Sequence, residues 1–519
     1  LSGIVRKRMF LWVLITLMAG IIITYMSAGE SKPVKAEEMG AFQGYRDISE
    51  MLLADIDVNA WIQQTFTISP DNRRVAYAAT RENRWFIVLD GEEQEHYDGI
   101  MAGTPIFSPD SKDVAYVAGS DGRWLVVLNH QELGSYEGIL SGTPVFSPDS
   151  SRMAYGAIEG NSLFVVLEGI KEGPYDGLSS FFFSPDSQRL AYGARQGTQW
   201  QVVVDGQAGD YYDELLTPAP VFSPDSQSFA YAARRGEDWY LIVDNKEQGP
   251  YEQIGGLVFS PDSSRLAFTH KKENQWAVSI NGQSFSGFDY VDAESLSFCP
   301  AGTRFLFIAT NNGQEFLVVD GDPKAPYDQI INPSFSPDGN WTVYGARQGQ
   351  EWFVVVADRS GPGYEELMPG TPLFSPDSTR VAYGGKKDGQ WQVTVGGRGE
   401  GKYEDLQGDS LIFNPDGSRW AYCAFQDGKW LVVVEGREGQ GYDMVLPGSL
   451  FFCPAGEIVV YGARRGIQTL VVVNGKEGPP YDGLVTISGA GIQFDDPDSF
   501  HYLALKGTGL YLVEESISR

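Results

Sequence analysis

The block Phe-Ser-Pro-Asp-Ser, or a close variant of it, returns about every 39 residues along this chain. Its proline stands at Pro70, Pro109, Pro148, Pro185, Pro224, Pro261, Pro300, Pro337, Pro376, Pro415 and Pro454, in steps of 37 or 39, and a weaker copy follows at Pro497 after a step of 43. A period of this length means one supersecondary unit used many times, so any admissible fold stacks the copies or closes them into a ring.

The copy starting at Val221 shows what the unit holds. Val221 to Ser226 is a short apolar run closed by a Pro-Asp turn, and Ser228 to Ala233 follows. Trp239 to Asp244 comes next, then Gly249 to Ile254. Four β-rich runs split by turn residues leave no room for a helix. Four short antiparallel strands in about 40 residues make one propeller blade.

Register inside the repeat is strict. Fifteen residues past the proline stands Trp85, Trp124, Trp200, Trp239, Trp276, Trp352, Trp391 or Trp430. Five residues further the third strand ends in pairs such as Asp90-Gly91, Asn281-Gly282 or Asn474-Gly475, which suit a two-residue hairpin. A tyrosine, or Phe288 once, stands twenty-seven residues past the proline, and the residue after it is acidic in all eleven full copies, from Asp98 to Asp482.

The run Phe-Ser-Pro-Asp-Ser, then Arg-x-Ala-Tyr, then a Trp-led strand ending in Asp-Gly, resembles the WD40-like repeat of TolB-type β-propellers over roughly residues 60–515. The resemblance implies the blade. It does not extend to the Tyr-acid pair, where TolB-type repeats usually read Leu-Thr, nor to TolB's extra α/β domain and its partners.

Twelve copies exceed the four to eight blades of ordinary propellers. The expected class is therefore all-β, with two six-bladed propellers over residues 44–292 and 293–519. One large ring of twelve is the alternative, because no linker separates the halves. The last copy lacks a fourth strand, and a strand from residues 42–64 would complete it.

At the N-terminus, Arg6-Lys7-Arg8 precedes an apolar run from Met9 to Met26. Residues 1–29 read as a signal peptide or a retained signal-anchor helix, and residues 30–43 as a polar linker. Both readings export the repeats to a periplasmic or other extracytoplasmic space, and the second anchors them in the inner membrane through residues 9–26. Without residues 1–36, 34 basic residues face 67 acidic ones, a formal charge of −33. Such a surface repels phosphate backbones, so nucleic acid is not an expected partner. Cys299, Cys423 and Cys453 occupy small-residue positions and read as buried thiols.

The loop after the second strand and the exit of the fourth share one rim. That rim carries Arg81, Arg195, Arg234, Arg235, Lys271, Lys272, Arg347, Lys386, Lys387, Arg464 and Arg465. They form a candidate anion-binding mouth, or they pair with the acidic residue beside each fourth-strand tyrosine and lock blade to blade. The tryptophans read as inter-blade core or as a platform for sugars. The tyrosine hydroxyls are expected to bond to neighbouring turns.

Enzyme signatures are missing from the sequence. No Gly-x-Ser-x-Gly elbow or His-Glu-x-x-His motif occurs, and His96, His130, His270 and His501 are scattered, so neither metal nor cofactor is expected. Gly396 to Lys402 fits Gly-x4-Gly-Lys, but Tyr403 stands where Ser or Thr would hold magnesium. The expectation is a non-enzymatic scaffold for protein partners in the cell envelope, or for a glycan or anionic ligand. A lectin-like propeller and a glycan- or peptide-processing enzyme using the central channel are the alternatives.

Overall fold

Asp90 and Gly91 both take positive φ (50° and 83°), as do Asn281 with Gly282 and Asn474 with Gly475, so the hairpin pairs do make the mirror-image turns their residues favour. The strands on either side pair residue by residue, and four antiparallel strands close each unit. A computed structural model describes residues 45–216, 220–485 and 491–518. The signal or anchor segment (1–29) and the linker (30–43) lie outside the described residues. Among the described residues no helix is long and apolar enough to cross a membrane.

Twelve sheets follow one another, here numbered blades 1–12: residues 67–97, 99–136, 138–175, 177–208, 214–251, 253–288, 290–327, 329–364, 366–403, 405–438, 444–477 and 483–518. The first strand of each blade lies at the channel edge, where neighbouring first strands approach each other, and the fourth lies outside. In seven blades the first strand is split into two short pieces. In four of them a hydroxyl takes up the second-strand N–H at the gap, as where Val117 N donates to Thr104 Oγ1 (3.3 Å) and Gly462 N to Ser449 Oγ (3.0 Å). The backbone thus stays satisfied without a continuous strand.

The blades form one ring of twelve, the alternative raised above, in place of two six-bladed propellers. Blade 6 packs on blade 7 through Val278, Phe288, Val291 and Phe307, as every other neighbouring pair does. Residue 293 falls inside the strand Tyr290–Phe298, so the expected division cuts through a blade. Blade 12 packs on blade 1, with Leu503 and Leu512 against Val75. Its missing outer strand is Tyr45–Asp55, antiparallel to Gly509–Ser518, within the range expected to complete it. The first described residues thereby close the ring on the last blade.

The core is a series of thin layers between blades. Each fourth-strand aromatic stands edge-on to the second-strand aromatic of the next blade, as in Tyr97–Tyr116, Phe288–Phe307 and Tyr481–Tyr502. All eleven successive interfaces have this pair, with centroids 5.6–6.4 Å apart and planes at 65–82°. Such pairs contribute about 0.5–1.5 kcal/mol each beyond area burial. The three cysteines are free and buried. Cys299 and Cys453 take the place of the turn serine, each accepting the N–H five residues on at 3.3 Å.

Candidate functional site

Most polar residues that the repeat singles out are occupied between blades. The acid after each fourth-strand tyrosine or phenylalanine accepts a backbone N–H from the hairpin after the second strand of the next blade. Gly197 N donates to Asp176, Gly349 N to Asp328 and Gly466 N to Asp443. The same bond recurs at all eleven positions, at 2.6–3.3 Å. A carboxylate there supplies a charge-assisted acceptor to a tight turn, which a Thr in its place would do more weakly.

The Ser-Pro-Asp turn is stapled similarly on the opposite face. The serine hydroxyl donates to the aspartate two residues on, as in Ser147 to Asp149 (2.7 Å). The aspartate N–H reaches a serine of the next blade, as in Asp149 N to Ser187 Oγ (2.9 Å). The backbone N–H of Ser151 and the hydroxyl of Ser147 hold the Asp149 carboxyl down at about 2. The arginine opening the second strand reaches forward too. Arg189 pairs with Asp205 at 2.9 Å, bonds the carbonyls of Ser226 and Gln227, and lies over Phe222 of the next blade.

The tyrosine hydroxyls correct the expectation of turn partners. Tyr136 bonds Tyr155 (3.2 Å) and Tyr175 bonds Tyr192 (3.2 Å) across the interface, while Tyr212 donates to Glu247 of the next blade (2.9 Å). Among the tryptophans, Trp391 is buried, and Trp85, Trp124, Trp239, Trp276 and Trp430 pack against inter-blade clusters. These six are core residues, not a free stacking platform. Gly396 to Tyr403 is a hairpin, with Tyr403 buried at its end.

The eleven basic rim residues do share one rim, at the ends of the second strands, but they do not converge. Their pairing also differs from the expected lock. Arg234 pairs with Glu214 (2.7 Å) and Lys386 with Glu366 (3.0 Å), both on the first strand of the same blade. Arg81 pairs with Glu93 (2.8 Å), Arg235 with Glu247 (3.0 Å) and Arg465 with Glu477 (2.5 Å), all on fourth strands. The acids beside the tyrosines are held by the hairpin amides instead. Arg195 donates to the Asp176 carbonyl and lies over Trp200, and Arg347 lies over Trp352, both at 5.7 Å. The Nε atoms of Arg195, Arg347 and Arg464 are shut off from solvent without a hydrogen-bond partner. Among the described residues Lys271, Lys272 and Lys387 have no carboxylate at ion-pair distance.

The channel edge is plainer. Gln63, Gln64, Ser141, Ser180 and Asn332 are exposed on its inner segments. Exposed charged residues on the first strands include Glu214, Glu294, Glu366 and Asp405, with Asp409 at the gap in blade 10, and Glu214 and Glu366 are paired with Arg234 and Lys386. A cleft of about 230 Å³ lies between blades 10 and 11 on the Ser-Pro-Asp face, walled by the Arg419–Glu435 ion pair.

Sequence reasoning missed the amide-capping role of the acids and the arginine staples. Their signal was the period itself: a residue repeated in every copy is one that every interface uses.

No protein-family model matches the chain, and no curated protein matches it. Solved structures similar to it include a eukaryotic initiation factor, with 14% identity, 58% of this chain and 88% of that one covered, and a TM-score of 0.32. TolB from Acinetobacter baumannii shares 16% identity over 51% of this chain and 80% of its own, with a TM-score of 0.22. The GH74 enzyme of Niastella koreensis shares 12% identity over 87% of this chain and 90% of its own, with a TM-score of 0.24. At these scores the likenesses carry no argument about activity or partners. The chain is a β-propeller of twelve blades.

Proposed function

We propose that this protein is a non-catalytic scaffold, exported and held at the membrane by residues 9–26, which binds a protein partner of the cell envelope. Binding uses the rim where second strands end. The observation that carries this reading is the contrast between a constant frame and a variable rim. The acids, tyrosines and turn serines recur and are occupied between blades. The rim positions that end each second strand change from blade to blade: Thr80-Arg81, Gly119-Ser120, Ile158-Glu159, Arg234-Arg235, Lys271-Lys272 and Phe425-Gln426. Exposed Ile467, 89% accessible, stands on the same rim. A surface that varies over a rigid frame suits recognition of one extended partner surface.

The test is recovery of partners from an envelope fraction with the protein as bait, compared with the rim variant Arg235→Glu/Lys272→Glu. A specific protein retained by the wild type and lost by the variant is the expected result. Recovery of chaperones alone from both overturns the reading. Export is checked separately: protease added outside intact spheroplasts should degrade the repeats.

A further inference from the structure

The outer edge of a sheet presents unpaired N–H and C=O groups, and proteins blunt such edges with short strands, bulges, prolines and charges. Eleven of the twelve blades follow that practice. The outer strands of blades 4, 10 and 11 are two residues long. In the other eight blades the outer strand is six residues long, and a register shift interrupts its pairing. Pro174, Pro250, Pro326 and Pro362 interrupt four of those edges as well.

Blade 12 differs. Its outer strand Tyr45–Asp55 has eleven residues and no proline. Pairing with the neighbouring strand is unbroken from Tyr45↔Ser518 to Leu52↔Tyr511, and its register shift falls beyond that stretch, between Leu52 and Ala54. Tyr45, Met51 and Leu52 are 74%, 55% and 53% exposed. The strand that closes the ring is thus the one long, regular and open edge among the described blades.

We propose that this edge pairs antiparallel with the same edge of a second copy, across a twofold axis at Ile48. A twofold axis perpendicular to the sheet keeps opposed side chains on one face, which restricts the pairing to registers centred on a residue. With Ile48 opposite itself, Tyr45 faces Met51, Arg46 faces Glu50 and Asp47 faces Ser49, each twice. No like charges oppose each other. Centring on Asp47 would set that carboxylate against its own copy, and centring on Ser49 would separate Arg46 from Glu50. Arg46 and Glu50 keep their own partners, Glu515 and Tyr481, so their opposition contributes a favourable field and no new bond. The two exposed Tyr45–Met51 contacts supply the apolar part.

In the resulting pair the rings lie side by side, and their twelfth blades join into one continuous sheet. Each chain carries a formal charge of −29, so the copies repel at long range and associate better when salt screens them. This inference does not rest on the partner reading above.

Ser49 provides the test, because it is exposed and stands opposite Asp47 in the proposed register. Sedimentation velocity of the full chain in mild detergent should show a concentration-dependent dimer that tightens with salt. Ser49→Lys should tighten it and Ser49→Asp should loosen it, each by about three- to ten-fold, from two symmetric cross-strand charge contacts. A monomer at every concentration overturns the proposal. So does a dimer whose affinity is the same in all three proteins, because association through residues 9–26 or another face would ignore position 49.

Discussion

His270 is the residue at which the repeat breaks most sharply. The equivalent positions hold alanine, as at Ala233, Ala309 and Ala463, or glycine at Gly385. His270 is 4% exposed and packs against the rings of both Tyr251 and Phe268, with Nε2 2.8 Å from Ser279 Oγ and Nδ1 without a partner among the described residues. Burial first, then the charge of Lys272, pushes its pKa down to about 4 from an ordinary 6.5. The unfolded chain therefore binds more protons than the folded one between those values. Stability from the neutral ring is fully present above pH 6.5 and is lost as pH falls to about 4. The full effect is on the order of 3 kcal/mol. Urea midpoints measured across this range should slope upward with pH in the wild type. His270→Ala should remove that slope, whatever it does to stability at neutral pH.

At the scale of the element, the closing strand carries the most consequence. Among the described residues Tyr45–Asp55 is the only outer strand donated from the far end of the chain, and its anchor is Arg46. The guanidinium lies 2.6 Å from Glu515, with the two side chains 8% and 0% exposed, and Tyr502 donates to the same carboxylate at 2.7 Å. Removing one member of a buried pair costs about 3–5 kcal/mol, because the other is left charged in a dry site. Arg46→Ala should lose stability on that scale in urea titration. Much of the loss should be recovered in the double variant with Glu515→Gln, which no longer buries an uncompensated charge. If the single and double variants lose the same amount, the pair does not act as the latch.

At the scale of the whole molecule, twelve near-equivalent interfaces make a ring with no natural place to divide. The interface between blades 6 and 7 is made by the same kind of aromatic pair as the other successive interfaces, Phe288 on Phe307 at 5.7 Å. Fragments 1–292 and 293–519 should therefore fail to fold as closed propellers, since each exposes two unpaired apolar blade faces. Co-expressed, they should elute together as one particle of the intact size. Two separately soluble, monomeric fragments with native β-sheet circular dichroism would show two rings instead. Small-angle scattering of the intact chain gives a second check, because one wide ring with a hole and two adjoining small rings differ in pair-distance distribution.

The blade itself was readable from the chain because every copy repeats the same local chemistry. Asp-Gly turns, β-branched strands and the Trp and Tyr positions depend on neighbours a few residues away, and eleven in-phase copies leave little ambiguity. Even the closing strand was foreseeable, since the last copy was short by one. Blade number per ring was not readable. It depends on the angle between adjacent sheets, which the summed packing of small residues and aromatic pairs sets, and every copy contributes nearly the same packing. The roles of the acids and rim arginines were hidden for a related reason. Asp443 meets the amide of Gly466 only once the sheets lie side by side, and Arg235 meets Glu247 only once the second and fourth strands of its blade share a rim. The sequence by itself thus determined the unit and its count, because those rest on local propensity. Only the tertiary structure decided how the units close and which polar groups remain for recognition, because both follow from contacts between units.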